Sequence, residues 1–376
     1  MKIGIDARFY GPRTGGGGIG RYVAELVTHL QQIDAENSYT LFLRKENFHE
    51  CVIKNPRFSK RLVDVPWYSI AEQRVLPREV AAAKVQLMHY PHWNVPIFTR
   101  VPFVVTIHDL ILVEDPLSAR ATTKSAFVHG VKYVGFRTVL ENAIHRAKHI
   151  IAVSDYTKQS VLRHFRVKSA NVTVIHNGVT PPRDTSGAHL VGFGVYEPYV
   201  LCVGNAYPHK NLHAVVDAFA VFRSGHPDVQ LVFAGRRDVF SKRLEAHAEK
   251  LGIPSHSIRF VDTPSDDTLA GLYRHAMLFV WPSRIEGFGI PPLEAMTYGA
   301  PVAASNTTSM PEILGNYATY FDPDDVDALV AIMHRARSGQ LVNNDHRALA
   351  KHHAEGFSWE RTARETQKIY TTFAKQ

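Results

Sequence analysis

The sequence predicts an α/β protein of two domains, each a doubly wound parallel sheet. Three observations carry this expectation. Short apolar runs alternate with helix-period segments along the chain. The 376 residues exceed what one hydrophobic core usually serves. A Pro-, Gly-, Ser- and Thr-rich stretch, residues 180–198, separates two series of such runs. Strands alternating with helices imply parallel pairing through right-handed crossovers.

The first series reads Lys2–Asp6, Tyr39–Leu43, Leu87–His89, Phe103–Ile107, His149–Val153 and Val172–Ile175. The second reads Tyr199–Val203, Gln230–Ala234, Ile258–Val261, Leu278–Trp281 and Pro301–Ala304. Helical periodicity is clearest over Tyr22–Leu30, Leu212–Arg223 and Trp359–Ala374. The expected organisation is domain 1–180, linker 181–198, domain 199–357 and a final helical segment 358–376.

Composition excludes several classes. Hydrophobic residues make up 45% and charged residues 21%, an ordinary globular balance. The two cysteines, Cys51 and Cys202, lie far apart, with no disulfide framework and no zinc spacing. The best apolar run, Val101 to Val113, is interrupted by His108 and Asp109 and is too short to span a bilayer. With no leader pattern after Met1, a cytoplasmic location is expected. Charge is uneven: residues 1–195 hold 25 Lys and Arg against 15 Asp and Glu, residues 196–376 hold 18 against 20. A basic first half suits an anionic partner or a merely solvated face.

The densest chemistry lies in Glu286-Gly287-Phe288-Gly289-Ile290-Pro-Pro-Leu-Glu294. It follows an apolar strand and opens a helix, which is where open α/β sheets bind ligands. Backbone amides there suit an anionic or polyhydroxylated ligand, although a carboxylate at a helix start also satisfies the dipole. Lys210, after strand Tyr199–Val203, faces the unfavourable end of helix Leu212–Arg223. A phosphate between that cation and the helix would resolve the conflict. Gly235-Arg236-Arg237 offers a second cationic turn.

In the first half, Gly15-Gly16-Gly17-Gly18-Ile-Gly20 matches the dinucleotide fingerprint formally, but it stands too far from its strand and lacks the later acidic residue. His108-Asp109 closes strand Phe103–Ile107, placing a hydrogen-bond donor or a base above the sheet edge. Ser154 and Asn177-Gly178 follow strands in the same way and read equally well as a cap and a turn. Asp266-Asp267 and Asp322 to Asp325 precede helices and fit capping better than metal binding.

Taken together, Glu286-x7-Glu294, the glycine loop, His108-Asp109, Val153-Ser154, His176-Asn177-Gly178, Val203-Gly204 and Lys210-Asn211 resemble the retaining glycosyltransferases of family 4. The motifs run in order over nearly the whole chain. The resemblance implies a GT-B fold of two Rossmann-like domains facing a cleft, acceptor in the first and sugar nucleotide in the second. It implies that the last helix crosses back onto the first domain. By the same resemblance Glu286 holds hydroxyls of the transferred sugar, and Gly287, Phe288, Gly289 and Ile290 bring amides to it. Glu294 binds the ribose, Lys210 neutralises the diphosphate, Gly16 and Gly17 approach it, and Val261 lies beside the base. His108 contacts the donor sugar, with Asp109 and Ser154 on the acceptor side. Many relatives carry an arginine where this chain has Asn205, so a second cation, Arg236 among the candidates, must come from elsewhere. No metal and no cofactor is implied.

The wording around Val203–Asn211 and Glu286–Met296 is most similar to mannosyl- and rhamnosyltransferases, making GDP-mannose the first expected donor. UDP-glucose, UDP-N-acetylglucosamine and dTDP-rhamnose are alternatives. The acceptor is expected to be a glycan or a lipid-diphosphate-linked glycan of a surface polysaccharide. Residues 118–148, with six Lys or Arg and one acid, could meet an anionic membrane or pack inward with solvated charges. From other classes, a nucleotide-dependent oxidoreductase or a silent glycan-binding protein stands as the alternative.

Overall fold

The computed structural model describes residues 1–11, 17–116, 126–180, 182–183 and 190–374. The chain forms two compact units: Met1–Leu110 with Thr122–Gly178 and Ser358–Gln376, and Ile111–Ala121 with Val179–Phe357. In the first, strands β1 (Lys2–Asp6), β2 (Ser38–Leu43), β3 (Phe58–Leu62), β4 (Leu87–Tyr90), β5 (Phe103–Ile107), β6 (His149–Ala152) and β7 (Val172–Val174) form one sheet. Its order is β3-β2-β1-β4-β5-β6-β7, every pair parallel. In the second, β8 (Tyr199–Val203), β9 (Gln230–Gly235), β10 (Ile258–Asp262), β11 (Leu278–Trp281), β12 (Val302–Ser305) and β13 (Thr319–Phe321) follow. They run β10-β9-β8-β11-β12-β13, again all parallel.

The order reverses between β1 and β4 in one sheet and between β8 and β11 in the other. At such a reversal the loops leave to opposite faces and open a crevice at the carboxyl edge. Strands such as β5 and β12 are buried along their whole length, which is why they read as unbroken apolar runs.

Two strands were not evident in the sequence, and both lie at sheet edges. In β3, Phe-Ser-Lys-Arg-Leu, only Phe58 is buried, so alternation is lost where one face meets water. The three residues of β13 are too few to show a period. The stretch read as a linker is fastened to the second unit over its described residues. Arg183 pairs with Asp266 at 3.0 Å, and the Gly194 carbonyl accepts from Arg259 Nε at 2.9 Å.

The final helix, Trp359–Ala374, belongs to the first unit and packs against helix Gly18–Ile33. A buried polar chain fastens it there. The Tyr370 hydroxyl meets His89 Nδ1 at 2.6 Å, His89 Nε2 meets Thr106 Oγ1 at 2.8 Å, and Thr106 meets the Tyr22 hydroxyl at 3.0 Å. Thr362 Oγ1 donates to the His176 carbonyl at 2.7 Å. Gly178, next in the His-Asn-Gly run, lies so close to this helix that an added Cβ would stand 2.6 Å from Trp359 Cγ.

Gly178→Ala is therefore an overpacking mutation, expected to cost about 1–3 kcal/mol. Urea unfolding with linear extrapolation measures it. An unchanged midpoint would mean that the backbone yields freely at this contact.

Candidate functional site

The second unit gathers its polar residues at the β8/β11 reversal. After β8, Gly204 turns the chain at φ +123, and a 3-10 turn at Pro208–Lys210 leads to the left-handed Asn211 (φ +53). Asn211 is buried and its Nδ2 donates to the Pro323 carbonyl at 2.6 Å, which fixes the start of helix Leu212–Arg223. Lys210 therefore stands just before that helix, not within its first turn. Its ammonium pairs with the Glu286 carboxylate and lies 4.4 Å from the centre of the Trp281 ring. Carboxylate and aromatic face together resolve the electrostatic conflict seen in the sequence. Both side chains are largely enclosed, 18% and 9% exposed, so removing one partner would strand a poorly solvated charge.

Glu286 is held from behind by residues the sequence reading missed. Its amide donates to Thr308 Oγ1 at 3.1 Å and its carbonyl accepts from Ser309 Oγ at 3.0 Å. The neighbouring Arg284 amide donates to the His209 carbonyl at 2.8 Å, joining the Glu286 loop to the Lys210 loop. Trp281 could have been found, as the last residue of an apolar strand directly before the motif. Thr308 and Ser309 carry no local signal, because their role is set by the approach of a distant loop.

Gly289 begins helix Ile290–Thr297 at φ +85, and a Cβ there would stand 2.6 Å from Met310 Cε. Geometry and packing both demand glycine. Pro291 and Pro292 have no N–H, so the amides near this helix start are those of Gly287, Phe288, Gly289, Ile290 and Leu293. Glu294 lies one turn on, 7% exposed, accepting from the Tyr273 hydroxyl at 2.9 Å.

The turn after β9 divides its two arginines. Arg237 is structural: it pairs with Glu245 at 2.7 Å and covers the Phe260 ring, its guanidinium carbon 4.7 Å from the ring centroid. Arg236 is exposed and forms no ion pair among the described residues. Asn205 is half-buried beside Gly204. Val261 is buried, 1% exposed. Asp325 caps helix Val326–Arg337, Asp324 pairs with Arg284, and Asp266 pairs with Arg183.

In the first unit, His108 follows β5 with its ring edge-on to Tyr22, centroids 4.8 Å apart. Its Nε2 lies 2.9 Å from the Pro91 carbonyl, an obligate acceptor, so Nε2 carries the proton and Nδ1 the lone pair. Burial lowers its pKa to about 4 against a smaller upward effect of that carbonyl. This tautomer leaves Nδ1 as the acceptor side of the ring.

Ser154 takes the capping alternative of its two readings. It is fully buried and its Oγ accepts from the Thr157 amide at 3.0 Å, capping helix Asp155–His164. Asp109, half-buried, follows His108 directly. Gly17 is described at φ +88, with open space where a Cβ would be, and Gly16 lies outside the described residues.

The basic segment is partly structural. In helix Ala126–Arg146, Leu140, Ala143 and Ile144 are buried. Arg137 pairs with Glu141 at 2.7 Å, and Arg146 donates to the Thr99 carbonyl at 2.5 Å. Lys132 and Lys148 are exposed, whereas Arg120 and Lys124 lie outside the described residues. Among the described residues no helix is long and apolar enough to cross a membrane.

Two family models match successive parts of the chain: Glycosyltransferase Family 4 over residues 16–183 and Glycosyl transferases group 1 over residues 192–353. The chain belongs to the family 4 glycosyltransferases. Similar proteins include the O-antigen chain mannosyltransferase RfbU of Salmonella typhimurium, 28% identical over 274 residues, 73% of this chain and 71% of that protein. The O-antigen chain mannosyltransferase B of Escherichia coli is 28% identical over 377 residues, 94% of this chain and 95% of that protein. The transferase has the GT-B fold, as in the sucrose-phosphate synthase from Thermosynechococcus elongatus (TM-score 0.78, 20% identity, all of both chains). The oxidoreductase and silent-binder alternatives give way to a transferase.

Burial keeps a set of histidines in the transferase neutral: His89 down at about 3, His108 and His209 at about 4, and His92 well below its usual range. In the unfolded chain each takes up a proton near 6.5. Stability from these groups is thus complete above that value and is lost as pH falls through it toward 4. The slope is roughly 1.4 kcal/mol per pH unit for each histidine. Urea titrations from pH 7.5 to 4.5 should show it, and His89→Gln should flatten it; an unaltered slope in that variant would refute the assignment.

Proposed function

We propose that the enzyme transfers a hexose, mannose from GDP-mannose in the first instance, to a glycan or lipid-diphosphate-linked acceptor during surface polysaccharide assembly, with retention of configuration. The observation that carries this reading is the Lys210–Glu286 pair over Trp281 at the sheet reversal. A diphosphate drawn to Lys210 divides the pair, and the released Glu286 carboxylate then accepts from sugar hydroxyls. The amides of Gly287 to Ile290 lie beside that carboxylate in sequence, and Glu294, steadied by Tyr273, suits ribose hydroxyls. Arg236 is the candidate second cation in place of an arginine at Asn205. The mannose assignment is supported by the mannosyltransferases among the relatives.

In the reaction the bond from the anomeric carbon to the diphosphate oxygen breaks, with positive charge developing on the sugar. Lys210 stabilises the departing charge, so the mechanism needs no metal. The acceptor hydroxyl attacks the same face, and its proton passes to the leaving phosphate oxygen. His108, neutral and accepting through Nδ1, is assigned to a sugar hydroxyl. Glu286 and Glu294 bind hydroxyls, so a hydrolase-type pair of carboxylates is not invoked.

Thermal melts with GDP-mannose, UDP-glucose, UDP-N-acetylglucosamine and dTDP-rhamnose test the donor. A saturating donor at a hundred times its Kd adds about 2.7 kcal/mol. GDP-mannose should raise the melting temperature most; a flat response to all four would refute the reading. Lys210→Ala should cut transfer by about 10²–10³-fold, the magnitude of losing one charge-stabilising group. Wild-type turnover in that variant would do the same damage.

Contact with an anionic membrane belongs to this reading, on the exposed Lys132 and Lys148. Vesicle sedimentation should recover more enzyme with anionic lipid than without. Recovery indifferent to lipid charge would exclude it.

A further inference from the structure

A second group of residues, from the segments that follow β1, β3 and β4 in the first unit, is built to hold an exposed aromatic residue. Tyr68 has a left-handed backbone, φ +57, a costly conformation for a bulky residue. Its amide donates to Glu72 Oε2 at 2.8 Å. Glu72 is fully buried and also accepts from Arg8 Nη2 at 2.6 Å and Asn94 Nδ2 at 2.9 Å. Arg8, itself without exposure, grips Asp6 through Nε at 2.8 Å and Nη2 at 2.7 Å. A buried ion network therefore fixes one strained peptide.

Tyr68 itself remains 60% exposed. The ring stacks on Trp93 with centroids 5.2 Å apart and an interplanar angle of 28°, and Trp93 rests edge-on against Phe136 at 4.7 Å. The Tyr68 hydroxyl meets His92 Nε2 at 3.1 Å, and the His92 ring lies 6.3 Å from that of His108. Burying charge and straining backbone to display an open aromatic face gains little core burial in return. Such strain, found beside a candidate sugar-contacting histidine, points to a ligand for the face.

We propose that Tyr68 and Trp93 form a stacking shelf for a pyranose ring of the acceptor glycan. The flat aromatic surface covers the C–H face of the sugar, while the Tyr68 hydroxyl, held by the buried His92, meets its hydroxyls. An alkyl chain would leave that polar rim unmatched, which favours a saccharide. The identity of the ring as acceptor rests on the glycosyl-transfer reading; the shelf itself is defined by binding alone.

Saturation-transfer NMR on the full chain, without donor, tests it with methyl α-mannopyranoside and α-linked mannobiose. Hexane-1,2-diol serves as a chain without a ring and GMP as a nucleotide. Both saccharides should receive saturation from the wild type and from Tyr68→Phe. The signal should fall at least tenfold in Tyr68→Ala and in Trp93→Ala, whose melting curves control for folding. Saccharide signal that persists in both alanine variants, or is absent from the wild type, overturns the shelf. So does a hexanediol or GMP signal that is lost in the same variants. Release of GDP from GDP-mannose is measured in parallel: its absence in the wild type defeats the donor assignment and leaves the NMR result standing.

Discussion

A parallel sheet covered on both faces by helices leaves only its ends for polar chemistry. The inner strands are largely apolar, and side chains placed to serve a ligand come from the loops and helix starts at the sheet edge. The carboxyl edge offers helix starts, and the reversal of strand order opens the space between them. In the second unit that reversal separates β8 from β11, and these two strands deliver Lys210 and Glu286. The first unit obeys the same constraint with β1 and β4, whose ends deliver Arg8, His92 and Trp93.

Much of this was legible because the constraint is periodic. Strands such as Phe103–Ile107 and Leu278–Trp281 were bounded to the residue, since buried parallel strands are continuous apolar runs ended by polar or small residues. Glycines at forced positions were equally visible, Gly289 above all, where left-handed backbone and a close methionine coincide. The edge strand Phe58–Leu62 was not, because water on one side removes the pattern.

What the sequence hid was pairing at a distance. Lys210 looked like a misplaced cation when its surroundings were only its own helix; with Glu286 and Trp281 in place it is a balanced one. Ser154 stood where a ligand contact or a cap would stand, and only the Thr157 amide distinguishes the two. The protonated nitrogen of His108 is set by the Pro91 carbonyl, seventeen residues earlier in the chain. Thr308 and Ser309 hold Glu286 from behind and Glu72 holds Tyr68, and nothing in their own neighbourhoods marks them.

The Lys210–Glu286 pair has a consequence for the end of the catalytic cycle. On the reading proposed above, an intact donor offers phosphate to the lysine and hydroxyls to the carboxylate, so both halves of the divided pair are satisfied. A nucleoside diphosphate that has lost its sugar can satisfy only the lysine. Glu286 would then be left enclosed without a counter-charge, an unfavourable state for a poorly solvated carboxylate. On that reading the pair weakens the hold on spent product relative to fresh donor, and relief from product inhibition follows from the same two side chains that the proposal assigns to the donor.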